Sequence, residues 1–111
     1  MIAAVTVTLC VLLWAVDGQE DALAAYEDDV LAVLARHGGR VLERLRRVDG
    51  PKETSTGQPT EMQVLQLPDE AAFQAYLADP ARAALGERRG RAVARTEAIP
   101  VVRLSSGTNF T

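Results

Sequence analysis

Apolar side chains fill Val5 to Trp14, VTVTLCVLLW, at odd and even positions alike. Read with period two, Val5, Val7, Leu9, Val11 and Leu13 share one face, and Thr6, Thr8, Cys10, Leu12 and Trp14 share the other. A strand that is greasy on both sides is stable only when each side is covered, which places it in the middle of a sheet. The run is a poor secretion signal, because no Lys or Arg precedes Arg36 and two threonines interrupt it. It is also too short for a membrane span, which needs about 20 apolar residues, whereas Met1 to Val16 stops at Asp17. No membrane partner is expected.

The pattern then changes period. In DGQEDALAAYEDDVLAVLARHGG, residues Leu23, Tyr26, Val30, Val33, Leu34 and His37 recur at helical spacing. Asp17 and Glu20 form a capping-box pair at its start, and Gly38 with Gly39 supplies the stop. Arg40 to Val48 reads as a second strand, and residues 49–59, DGPKETSTGQP, as a polar connecting loop. Thr60 to Leu67 is the third strand. PDEAAFQAYLADPARAALGERRG is helical in two parts, because Asp79 and Pro80 restart the helix as N-cap and first residue. Phe73, Tyr76, Leu77 and Leu85 mark its inner side. Ala92 to Leu104 is the last strand, and Pro100, which cannot donate to a ladder, assigns it to a sheet edge. Residues 105–111 read as a flexible tail, leaving 1–104 as a single domain.

Strand, helix, strand, strand, helix, strand is the βαββαβ order of the ferredoxin-like α+β fold: a four-stranded antiparallel sheet with helices on one face and the first and third strands central. The helices leave the face bearing Leu12 and Trp14 uncovered. A second copy packed sheet against sheet covers it most economically, so a homodimer is expected.

Composition narrows the classes. The 111 residues are 48% hydrophobic, which suits a single buried core. A net charge of -3 argues against a nucleic-acid partner, since phosphate neutralisation needs a cationic surplus. The RNA-recognition motif shares this topology, but its stacking aromatics are missing from TEMQVLQL. Cys10 is the lone cysteine, so the chain forms no internal disulfide and a reducing, cytoplasmic setting is expected. Eleven of the twelve basic residues are arginine, a coding habit of GC-rich bacterial genomes. No Cys-x-x-Cys, His-Glu-x-x-His, Walker loop or Gly-x-Gly-x-x-Gly is present, and Ser55, Ser105 and Ser106 fall in loop or tail.

HGGRVLERLRRV after the first helix, and EMQVLQLPDEAAFQAYLADPARAAL with its Asp-Pro restart, resemble the dimeric α+β barrel superfamily over Val5 to about Leu104. That superfamily includes antibiotic biosynthesis monooxygenases, muconolactone isomerases and some polyketide cyclases. The resemblance implies a pocket between helices and sheet in each subunit, no bound metal or organic cofactor, and a small, largely apolar organic ligand. The activity it implies is cofactor-independent oxygenation, cyclisation or isomerisation of an aromatic or polyketide-like metabolite. The alternative is a dimeric ligand-binding or interaction module that performs no reaction.

Several residues carry candidate chemistry. His37, the sole histidine, titrates near neutrality and is a candidate acid or base; at a helix end it equally serves as a cap. Arg40, Arg44 and Arg46 alternate onto one strand face, and Arg44 or Arg40 is expected to hold an enolate or phenolate oxygen, unless these arginines face solvent or pair across the dimer. Tyr26 is a second proton carrier. Trp14, Phe73, Tyr76 and Leu23 are expected to line the substrate pocket, with core packing, or the dimer contact for Trp14, as the competing roles. Glu27, Asp28 and Asp29 read as a solvated run, while Glu43 and Glu61, within predicted strands, face the pocket, the dimer contact or a salt bridge.

Overall fold

Nine residues of the opening run form β1 (Val7–Ala15), with Leu9, Val11 and Leu13 buried and Cys10, Leu12 and Trp14 half-buried. The computed structural model describes residues 5–48 and 57–104. Residues 49–56 of the expected loop, and the expected tail 105–111, lie outside the described residues. The chain continues through α1 (Glu20–Arg36), β2 (Arg40–Arg46), β3 (Glu61–Leu67), α2 (Glu70–Leu77), α3 (Pro80–Ala83), α4 (Gly86–Ala92) and β4 (Val93–Val101). The four strands pair antiparallel in the order β2-β3-β1-β4, with β1 and β3 central. This is the ferredoxin-like α+β arrangement expected from the element order, and Pro100 lies on the edge strand β4, opposite Leu9.

The sheet divides cleanly into two faces. Leu9, Val11 and Leu13 of β1 and Leu65 and Leu67 of β3 pack under α1, whose Leu23, Val30, Val33 and Leu34 complete the core. α1 buries Glu27 and Leu31 as well, a wider stripe than the expected one. The opposite face carries Cys10, Leu12, Met62 and Val64 in its centre, with Leu45 52%, Ile99 43% and Val101 37% exposed towards its edges.

Five local expectations are corrected. The capping box does not form: Gly18, at φ 78°, turns the chain between Asp17 and the helix, and Gln19 takes the N-cap position without a side-chain cap bond. The strands β2 and β4 are shorter than expected at their C-terminal ends, and Ala92 belongs to α4. The segment after β3 forms three helices rather than two. Asp69 and Asp79 cap α2 and α3 by accepting from the Ala72 and Ala81 N–H groups, each at 2.8 Å. Leu77 is 39% exposed rather than buried, because α2 ends there, although it still lines the space between helices and sheet. Finally, Arg40, Arg44 and Arg46 do not share a face. A bulge between Val41 and Glu43 inserts one residue and reverses the alternation, so Arg44 and Arg46 lie opposite Gln63 and Glu61 on the helix-covered face, while Arg40 lies opposite Gln66 on the other.

The stop at Gly38-Gly39 is tightly built. Gly38 adopts φ 76°, and the Gly39 N–H donates to the Leu34 carbonyl at 3.1 Å. A Cβ on Gly39 would lie 2.4 Å from Leu34 Cγ and 2.8 Å from the Leu34 carbonyl oxygen. Leu34 is itself buried, so neither group has room to retreat. Gly39→Ala is expected to cost about 2 kcal/mol or more through forced displacement of α1 against the sheet, read as a lower urea midpoint.

Candidate functional site

Between the helices and the sheet the core is incomplete. A cavity of about 120 Å³ is floored by Leu9, Val11 and Leu65 and walled by α1 through Tyr26 and Glu27. Phe73 and Tyr76 of α2 close a second side, and Arg82 of α3 and Arg89 of α4 line a third. The capped restart at Asp79 explains this wall: it bends the chain after α2 so that two short helices turn their arginines towards the space above β4.

The chemistry centres on Glu27, which is only 5% exposed. Gln63 Nε2 donates to Glu27 Oε1 and to Glu61 Oε2, both at 2.7 Å. Glu61 is also buried and accepts from Arg44 Nε at 2.8 Å, while Arg44 Nη1 reaches Asp28 Oδ1 at 2.6 Å and Nη2 the Ala24 carbonyl at 3.0 Å. A hydrogen-bonded line therefore runs from the cavity wall to the surface. Burial raises the Glu27 carboxyl above its ordinary value; the Gln63 hydrogen bond opposes this and the nearby Glu61 charge adds to it. Arg44 is held protonated more firmly than usual, chiefly by its bond to Glu61. Burial likewise raises Tyr26 and Tyr76, against the pull of Arg82 on both and of Arg89 on Tyr26.

The residues singled out from sequence are dispersed. Tyr26, Phe73 and Tyr76 line the cavity, whereas Leu23 is core beside it. Trp14 is on the uncovered sheet face, donating to the Gly57 carbonyl at 3.0 Å beneath the Arg95 guanidinium, 4.4 Å from the ring centroid. His37 stands at the α1 C-terminus with Nε2 2.7 Å from Asp79 Oδ2, and its ring meets Tyr76 edge-on at 6.4 Å. It joins the end of α1 to the cap of α3 and does not line the cavity. That hydrogen bond, followed by the one from Ala81, lowers Asp79 below the usual carboxylate value. Arg44 is one residue layer behind Glu27, and Arg40 is across the sheet.

Glu27 corrects the expectation of a solvated acidic run; only Asp28 and Asp29 are exposed. The signal was in the spacing, since Glu27 falls four residues after Leu23 and four before Leu31, inside the apolar stripe. Glu61 resolves to the salt bridge. No comparable signal marked Arg82 and Arg89, which a seven-residue interval puts on one face only of an unbroken helix. Among the described residues no group of three or more His, Cys, Asp or Glu side chains is placed to hold a metal ion, and no helix is long and apolar enough to cross a membrane.

No family model and no curated protein sequence matches the chain. Solved structures do. SnoaB, a cofactor-independent oxygenase from Streptomyces nogalater, is similar at TM-score 0.69 and 15% identity, over 96% of this chain and 100% of that one. A dabb family protein with a ferredoxin-like fold from Mesorhizobium loti aligns at TM-score 0.64 and 19% identity, over 90% and 98%. The RPA0582 protein of unknown function from Rhodopseudomonas palustris aligns at TM-score 0.68 and 22% identity, over 90% and 83%. At these identities the likeness establishes the ferredoxin-like α+β fold.

Proposed function

We propose that this protein is a homodimeric enzyme of the dimeric α+β barrel type, acting on a small aromatic or polyketide-like compound by cofactor-independent oxygenation, cyclisation or isomerisation. The observation that carries the reading is the unfilled cavity with the Glu27 carboxyl in its wall. A self-filled interaction module, the competing reading, has no use for that space. Drug-sized ligands occupy about 300–1,000 Å³, so this cavity suits a smaller compound of one or two rings.

The step shared by the three reaction types is removal of a proton from an acidic C–H or O–H. A carboxylate raised by burial is a stronger base than one in water, and Glu27 is the proton acceptor in this scheme, with Tyr26 as a second proton carrier. Gln63 fixes the orientation of Glu27, and Arg44 acts through Glu61 as a positioning residue. His37 is assigned to the frame and Arg40 to the dimer face. Apolar walls exclude water and strengthen the electrostatics within. SnoaB, a cofactor-independent oxygenase on the same fold, is consistent with this chemistry.

The uncovered sheet face supports the second subunit. Its apolar centre, from Leu45 through Met62, Val64, Cys10 and Leu12 to Ile99, is bordered by Arg40, Glu43, Arg95 and Glu97. A border of both charge signs suits a two-fold contact, where each patch meets its own copy.

Native mass spectrometry after soaking in a mixed metabolite extract tests the reading. The expected result is a dimer carrying one small adduct per subunit, released after aerobic incubation with a changed mass. A monomer without adduct overturns it, and an adduct recovered unchanged under every condition reduces it to a binding module.

A further inference from the structure

We infer that the cavity selects a planar organic carboxylate, with the Arg82 and Arg89 guanidinium groups as its anion-binding pair. This rests on the ligand-site reading above and specifies its substrate class.

Elsewhere in the fold arginines are matched to acids: Arg44 to Glu61 and Asp28, Arg88 to Asp29, Arg95 to Glu97. Among the described residues Arg82 and Arg89 make no such ion pair. Arg89 Nη2 donates to the Thr96 hydroxyl at 2.9 Å, a neutral acceptor that fixes its position at the β4 side of the cavity. Arg82 lies over the Tyr76 ring at 5.1 Å, and its Nε is buried without a hydrogen-bond partner. A buried donor left unpaired is costly, and a guanidinium accepts nothing, so the missing group is an acceptor.

The charge balance of the lining gives its sign. Glu27 is the one acid among the lining residues, and it is already committed to Gln63. Two guanidinium groups against that single carboxyl give the lining a net positive charge. A carboxylate satisfies both at once, because its two oxygens accept from separate guanidinium forks by charge-assisted bonds. The remainder of the ligand meets Leu9, Val11, Leu65 and Phe73, and shares the cavity with the Tyr76 face, so its skeleton is flat and apolar.

Benzoate and benzamide, equal in shape and different in charge, are the probes. Titrated into the intact protein by NMR chemical-shift perturbation, benzoate is expected to bind about tenfold or more tightly than benzamide. Arg82→Gln and Arg89→Gln are each expected to weaken benzoate about fivefold or more while leaving benzamide within about twofold. Arg88→Gln, outside the cavity, is expected to change neither. The wild-type comparison needs no variant and stands if a variant fails to fold. Equal affinity for the two probes, or benzoate binding insensitive to both cavity substitutions, overturns the anion pair while leaving the cavity a ligand site. Failure of both probes at millimolar concentration overturns the pair together with the ligand site.

Discussion

Leu12→Arg is expected to convert the protein from a dimer to a folded monomer at micromolar concentration, seen by sedimentation velocity or light scattering. Leu12 sits on the uncovered face of the central strand, opposite Met62 on one side and Glu97 on the other. In a lone subunit an arginine there extends into water and has the Glu97 carboxylate within the same cross-strand row, so the fold is kept. In the proposed sheet-against-sheet dimer the same side chain from each subunit enters an apolar centre lined by Val64, Met62 and Cys10. An uncompensated buried charge costs about 3–5 kcal/mol, which weakens association by more than about a hundredfold. Retained helical circular dichroism with halved mass is the expected pair of readings. A parent protein that is already monomeric at those concentrations, or a variant that stays dimeric, removes the sheet face from the interface.

Glu27→Gln is expected to make the protein more stable and less active. The neutral amide keeps an oxygen to accept from Gln63 and sheds the charge that burial penalises. The sign follows from proton binding. Glu27 has a higher pKa folded than unfolded, so between the two values the folded state holds more protons, and stability falls as pH rises through that window. The variant lacks this loss. Its stability should match the parent below the ordinary carboxylate range and exceed it by about 1 kcal/mol at neutral pH, measured by urea denaturation across pH. If Glu27 transfers the proton, turnover of the ligand identified by the soak drops about 10²–10⁴-fold. A variant with parental turnover assigns the base elsewhere, and a stability difference that does not grow with pH contradicts the raised carboxyl.

The opposed signs separate the two roles of one residue. A side chain placed only for packing would not gain stability on losing its charge while losing function, and such trade-offs are characteristic of working sites.

Apolar residues at odd and even positions of Val5 to Trp14 identified a central strand, and Pro100 identified an edge; the sheet order agrees with both. Helical spacing found Tyr26, Phe73 and Tyr76, three of the cavity residues, because inward side chains of an amphipathic element line whatever space lies beneath it. The same reasoning missed Glu27, whose acidic neighbours made it resemble a solvated face although its spacing was that of Leu23 and Leu31. It also mistook the arginines. Arg40 and Arg44 stand an even number of residues apart, and alternation puts them together, but one extra residue at the bulge puts them on opposite sides of the sheet.

Local periodicity, caps and breakers are properties of neighbouring residues, so the chain alone determined the element order, the ferredoxin-like sheet and which strand lies at its centre. Which charges meet was decided only on folding. The bulge in β2, the bend after Asp79 and the Gln63 bridge between two acids each depend on groups distant in the chain whose register and tilt are set by packing. Coulomb and desolvation energies act through space rather than along the backbone, and for that reason the burial of Glu27 and the convergence of Arg82 and Arg89 on one cavity belong to the tertiary structure.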